Sequence, residues 1–437
     1  MTTLIPKYDQ GATSAVNRPI NQKLAESVSV KDFGVVGDGT TDDTVALRAA
    51  FAACFPSTPT YTSGSNSYYQ ATCGLYFPPG KYRVTSTVYI NSSTPGNVYY
   101  EGLSIYGLPS ATVYDLAEST TVTPTAMIMA DSSATWIANQ AVLSLQYCNN
   151  CSIQNISVYG VAAYTKGIDF SHGAWWTVKS CTIANHLYGA YHNASGGLTA
   201  SENQYTNCTN VGLYMKDSGD SNIFNCYINT NNPNYTTDIS KGNGIYLATS
   251  NNTNIHGGKN EYNAIGIYVI DTQGINISGI NFDSNFQNHI IISSSSNSAT
   301  PDGLQAKSIN IVGNRFLAGG FNGLKSTIYV GTGSADSHIC ITGNSFRKGS
   351  TQAFDENPST GGSPAIGPLY ALLTNNLGSN TCYNTYAISG NDMWNCCTGN
   401  TIYAGASSGA NAIFKGINIY NVSNGSTGAN VNFTNFL

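Results

Sequence analysis

The sequence predicts an all-β fold, a parallel β-solenoid in which one coil is one repeat, and three observations predict it. A Gly-apolar-Tyr tripeptide starts at Gly189, Gly212, Gly244 and Gly266, at intervals of 23, 32 and 22 residues, and Gly167-Ile168-Asp169 extends the series one interval back. Repeats of this length, with short alternating apolar stretches and turns rich in Gly, Asn and Ser, mark coils whose equivalent residues stack about 4.8 Å apart. Second, in Gly244-Ile245-Tyr246-Leu247 the two aliphatic residues share one side of a strand while Tyr246 faces the other. The interior takes Ile and Leu, so Tyr191, Tyr214, Tyr246 and Tyr268 form an outward column that Asp169 continues. Third, a later pattern sets apolar residues five apart: Val178 and Ile183, Ile223 and Ile228, Ile277 and Phe282, Ile311 and Phe316, Ile341 and Phe346. Such spacing crosses a bend. Asn203, Asn314 and Asn344, with Cys181 and Cys226, stand two places before the final apolar residue, where buried Asn or Cys stacks at a coil corner account for them.

Taken in order, residues 1–29 are polar, contain Pro6, Gly11 and Pro19, and read as an attachment arm. The segment 30–73 is a capping segment: a short strand from Val30 enters a Gly-Asp-Gly turn, and a helix follows over 41–54. Thr41 is placed to cap it, Asp42 and Asp43 suit its positive end, and Val45, Ala49 and Ala52 fall on one face. A cap is needed because the first coil otherwise exposes its core and an unpaired strand edge. From Gly74, two strands around a Pro-Pro-Gly turn begin the solenoid, expected over 74–350. Residues 91–140 are rich in Ser, Thr and Ala and suit loops leaving the coil; 231–241 is an inserted loop beside the Tyr column. Beyond Thr351 the period fades into a Gly- and Asn-rich C-terminal β region, 351–437.

Composition excludes several functions. Only 9% of the 437 residues are charged, the net charge is -5, and no basic face for nucleic acid is visible. The 11 cysteines are odd in number and scattered, which fits reduced, buried thiols better than a disulfide framework. Cys148 and Cys151 form a lone CxxC and Cys396 adjoins Cys397, yet neither has a second pair or nearby His, so no metal and no cofactor is expected. No signal segment and no apolar run of membrane-spanning length is present, so a soluble chain without membrane insertion is expected.

The stretch VKDFGVVGDGTTDDTVALRAAF from Val30, followed by GLYFPPGKY from Gly74, resembles the pectate-lyase-like β-helix proteins found as bacteriophage tailspikes. The preceding PKYDQGATSAVNRPINQKLAE from Pro6 resembles the leader that tail fibre and tailspike proteins carry. The resemblance implies a trimeric assembly, a homotrimer of right-handed parallel β-helices. It implies a virion location on the phage tail after assembly in the host cytoplasm, with the arm docking to tail or adaptor proteins and the region after 351 locking the subunits. It implies binding, and often cleavage, of host surface polysaccharide. It transfers no catalytic set, since fold alone is weak warrant for chemistry. Asp32, Asp38, Asp42 and Asp43 recur in the motif for turn and capping reasons.

The candidate chemistry is read from the residues. Tyrosines in an outward column suit stacking on sugar rings and hydrogen bonding to their hydroxyls, and equally suit a structural ladder or a subunit contact. Glycoside hydrolysis needs two carboxylates. Five residues after each repeat glycine come His172, Ala194, Asp217, Thr249 and Asp271. Asp217 and Asp271 are therefore two coils, about 10 Å, apart at the backbone and are the leading acid and base. Asp169, Asp220, Glu202 and Glu261 are the other nearby acids. A lyase would instead call on His172, Lys216 and Tyr214, but Lys216 is the one base aligned beside the column, too little to neutralise an acidic glycan. His186, His192, His256, His289 and His338 share no coil position and read as structural. Three readings stay open: a hydrolytic depolymerase, a non-catalytic adhesin or tail component, and a polysaccharide lyase.

Overall fold

A computed structural model describes residues 7–347 apart from 10, 12, 25, 91–96, 110–124, 230, 232–241, 294–305, 318–325 and 331–337, and further strands between Tyr370 and Asn432 with Asn391. Each complete coil contributes one strand to each of three sheets, as Tyr188–Asn193, Gly196–Ser201 and Gln204–Thr206 do in turn. Sheet I, which carries the Tyr column, has twelve strands among the described residues, sheet II seventeen and sheet III thirteen. Strands of successive coils pair in parallel and in register. The antiparallel exceptions among the described strands are Lys7–Tyr8 with Arg18–Pro19, and Tyr61–Ser63 with Asn66–Gln70.

Alternation sets what faces the core. In Val211–Lys216, Leu213 and Met215 are buried while Tyr214 is half-buried on the outer face and Lys216 is exposed. Ile245, Leu247, Ile267 and Val269 repeat the inward pattern on the next two coils. The repeat glycine has its own cause. A Cβ at Gly212 would lie 2.8 Å from the Gly244 carbonyl oxygen, one at Gly244 2.6 Å from that of Gly266, and one at Gly266 2.5 Å from that of His289. Successive backbones approach too closely there for any side chain.

The five-residue pattern does cross a bend, between sheets II and III. Ser180, Glu202 and Asn225, and then Gly257, Gly279, Gly313 and Gly343, take left-handed backbone at that corner, with φ from 48 to 68°. The buried Asn beyond it bonds along the stack. The Asn314 Oδ1 accepts from the Ile280 amide at 3.0 Å, and its Nδ2 donates to the Ile277 carbonyl and to Asn344 Oδ1, each at 3.0 Å. Asn344 repeats this with Asn391. A second ladder, Asn231, Asn263 and Asn285, fills the corner between sheets III and I. All eight described cysteines are free thiols, and burial pushes those of Cys181, Cys208 and Cys226 up to about 12.

Four expectations change. The helix spans Thr44–Ala53, and Thr41 lies in the strand before it, bonded to Asp38. Its buried face is Thr44, Leu47, Ala50 and Phe51, whereas Val45 is 75% exposed and Ala49 and Ala52 face solvent. This face lies against Val88–Tyr89, the end strand of sheet I, and Phe51 meets Phe77 at 6.3 Å. The coils also begin before residue 74: Ser27–Ser29, the last of the expected arm, pairs with Gly74–Phe77, and Asp38–Asp42 with Gly80–Val84. At the other end the strands Tyr370–Thr374, Thr385–Ser389 and Asp392–Trp394 extend the same three sheets. Longer connections dilute the period there without ending the stacking. The aspartates of the N-terminal motif serve turns, as expected. Asp43 accepts from the Val36 and Gly37 amides at 2.7 and 2.9 Å, and the Thr40 and Thr41 amides hold the Asp38 carboxyl well below its ordinary pKa.

Candidate functional site

The outer face of sheet I is built by register. Asp169, Tyr191, Tyr214, Tyr246 and Tyr268 are direct cross-strand partners on successive coils, and the column continues to Ile291 and Tyr329. Tyr191 and Tyr214 stack with centroids 4.6 Å apart and planes 4° from parallel; Tyr214 and Tyr246 stack at 5.3 Å and 3°. The Lys166 ammonium sits 3.5 Å from the Tyr191 centroid, and Tyr268 stands at 88° to Tyr246. Tyr188 packs edge-on against both Tyr191 and Tyr214. The faces of Tyr214 are therefore covered by Tyr191 and Tyr246, and Tyr191 lies between Tyr214 and Lys166, so these rings turn rims and hydroxyls outward. Burial raises the phenol pKa of Tyr191, Tyr214 and Tyr246 above the ordinary value, so none supplies a phenolate base at neutral pH.

Asp169 is 2% exposed and its oxygens are taken. Oδ1 accepts from the Ser171 amide at 3.0 Å and its hydroxyl at 2.5 Å; Oδ2 accepts from Gln146 Nε2 and the Lys166 ammonium, both at 3.0 Å. A carboxylate so saturated holds the chain and has no lone pair directed at a ligand. Glu202 lies at the corner between sheets II and III, beside Ser180 and Lys179. Glu261 is 3% exposed on sheet III and is bound by the Tyr227 hydroxyl and the Lys259 ammonium. The structure therefore does not bring Glu202 or Glu261 to the Tyr column.

It does bring Asp217 and Asp271 to one edge of it. His172, Ala194, Asp217, Thr249 and Asp271 stack at the corner where sheet I turns into sheet II, all with left-handed backbone, φ 48 to 62°. The amide of each bonds to the next coil, as Asp217 N does to the Ala248 carbonyl at 3.0 Å and Thr249 N to that of Ile270 at 3.1 Å. Aspartate tolerates this conformation because its short polar side chain bonds locally, and the Thr249 hydroxyl indeed donates to Asp217 Oδ1. Asp217 and Lys216 are exposed, and His172, also exposed, stacks on Tyr147 at 5.0 Å. The expected inserted loop beside this face lies, beyond Asn231, outside the described residues. Among the described residues no group of His, Cys, Asp and Glu could hold a metal ion.

The family model described as rhamnogalacturonase A/epimerase, pectate lyase-like, matches residues 27–314, more than half of the chain. The chain belongs to this pectate-lyase-like family. The family match begins at the strand Ser27–Ser29, where the coils begin. No curated protein sequence matches the chain. Among solved structures, it is similar to the A-module of an Azotobacter vinelandii mannuronan C-5 epimerase: 14% identity, 88% of this chain, 99% of that one, TM-score 0.53. It is similar to gene product 12 of bacteriophage phi29 at 12% identity, 93% of this chain, 54% of that one and TM-score 0.58. A third likeness is to tailspike protein 2 of an Escherichia coli O157:H7 bacteriophage, at 18% identity, 84% of this chain, 42% of that one and TM-score 0.50. At such identities the likeness is one of fold, and the pectate-lyase-like coil is what these proteins share with this chain.

The sequence did not single out Trp175, 57% exposed on sheet II three residues after His172. Its left-handed backbone, φ 62°, is a property that apolar periodicity does not report.

Proposed function

We propose that the protein is a bacteriophage tail component that binds host surface polysaccharide along the outer face of sheet I and hydrolyses it. The observation that carries this reading is the row of Tyr rims and hydroxyls ending at a corner with exposed Asp217 and, two coils on, Asp271. Such a face combines hydroxyl partners for sugars with two carboxylates at about the separation an inverting hydrolase uses. In this reading one carboxyl protonates the leaving oxygen and the other activates water. The family description, which names a glycan-cleaving enzyme and an epimerase, supports a polysaccharide substrate. The phage neighbours of the fold, one of them a tailspike protein, support a tail location; three copies joined in parallel, with the segment before Ser27 docking to the tail, are part of the same proposal, and light scattering of the full chain returning a monomer would overturn that assembly.

The test is release of new reducing ends from purified lipopolysaccharide or capsule. Wild type should generate them, while Asp217→Asn or Asp271→Asn should lose at least about 100-fold in kcat and keep binding, because proton transfer matters only in the transition state. Binding without new ends in wild type would leave an adhesin.

A further inference from the structure

The corner between sheets I and II holds a second left-handed column, three residues after the first: Asn150, Trp175, Gly197, Asp220, Asn252 and Gly274, with φ from 42 to 70°. Their preceding neighbours pair coil to coil, Asn149 with Ala174, Ala174 with Gly196, Gly196 with Gly219, Gly219 with Asn251. Five of the six are Gly, Asn or Asp, the types that left-handed backbone favours. Trp175 is the exception, at φ 62° and 57% exposed, so it carries backbone strain for a side chain that contributes little to the core.

Its surroundings give the strain a use. The six-membered ring of the indole lies against Gly197 on the next coil, where a Cβ would fall 2.3 to 3.0 Å from Cε3, Cζ3 and Cδ2. The other residue of that coil at the corner is Ala194, exposed and small. One coil further come Asp217 and Asp220, both exposed. Along the corner the order is thus an exposed indole, a step of small residues, and a pair of carboxylates. Unlike Tyr214, which has a parallel ring on either side, Trp175 is 57% exposed and its ring is backed by Gly197.

We propose that Trp175 is the aromatic platform of a glycan subsite, taking a neutral pyranose whose C–H face stacks on the indole and whose hydroxyls donate to Asp217 and Asp220. Carboxylates at neutral pH only accept, so they match hydroxyl donors and repel a uronate. This rests on the polysaccharide reading above and adds the ring that positions the sugar and the charge it carries.

The full-length protein is titrated with a panel of purified neutral and uronate-containing O-antigen and capsular polysaccharides, following Trp emission. Trp175→Asn places a residue that suits the backbone. It should keep or raise the Tm, lose the ligand-induced emission shift and weaken the best neutral binder about five- to tenfold. Gly197→Ala, which tilts the indole off its bed without removing it, should also weaken binding. A lower Tm with unchanged affinity in Trp175→Asn would make the ring structural and overturn the proposal, as would tighter wild-type binding of the uronate polymers. If wild type binds none of the panel, the polysaccharide reading itself falls; if it binds and Trp175→Asn binds equally well, only the subsite falls.

Discussion

Tyr214 has a parallel ring on either side and an edge of Tyr188 against it, so a ligand on sheet I reaches its rim and hydroxyl before its face. Tyr214→Phe should therefore weaken polysaccharide binding by roughly the value of one hydrogen bond, about 0.5–1.5 kcal/mol, with little change in stability. Calorimetric titration of both proteins with the same polysaccharide checks this; an unchanged affinity in Tyr214→Phe would show that ligand does not use the column hydroxyls. That Tyr214 points outward was legible, because strand parity fixes the side of the sheet. That its faces are closed was not, because parity says nothing of side-chain torsion or of Lys166 folding over Tyr191. Asp169 shows the same limit: its place in the column follows from counting, but Ser171, Gln146 and Lys166, which saturate it, come from three different local geometries. That Asp217 and Asp271 share one corner was legible because that corner keeps a fixed offset from the repeat glycine.

Elements were legible where one physical constraint recurs each coil. The glycine repeats because adjacent backbones touch, and the corner Asn repeats because its amide bonds both to a carbonyl and to the next Asn. Where no constraint recurs, the pattern is ambiguous. A helix at a solenoid end has one face on the coils, and Val45, Ala49 and Ala52 do not mark it, since small residues occupy both faces. The observed packing gives a direct contrast. Leu47, fully buried, should cost about 2–5 kcal/mol on Leu47→Ala, whereas Val45→Ala on the exposed side should change stability by less than about 0.5 kcal/mol. Denaturant unfolding of the two variants measures the difference, and equal losses would mean that the helix is seated otherwise. The ends of the coil array are not marked by the period for a related reason, since strands separated by long connections stack as well as those separated by short ones.

Across the whole molecule, buried imidazoles tie stability to pH. His186, His192 and His289 lie inside the coils on three different turns, and burial lowers their pKa to about 4, about 4 and about 3. His186 Nε2 lies 3.1 Å from the Val158 carbonyl, which can only accept, so that nitrogen carries the proton and Nδ1 accepts from the Thr165 hydroxyl at 2.9 Å. Protonating Nδ1 would set a charge in the core and turn that acceptor into a donor. Between the ordinary histidine value of 6.5 and about 4, the unfolded chain binds protons that the fold refuses. Stability therefore rises with pH through that window, and falls as the pH drops from 6.5 toward 4, by up to roughly 3 kcal/mol for each histidine over the full span. Urea unfolding at pH 7.5 and 4.5 should show the loss. His289→Gln keeps an acceptor for the Asn285 amide, which His289 Nδ1 meets at 2.8 Å, and removes one titrating group, so the pH dependence should flatten by about a third. Stability that stays level from pH 7.5 to 4.5 would mean that these rings take up protons in the folded chain, and that the coils open to water more readily than their packing implies.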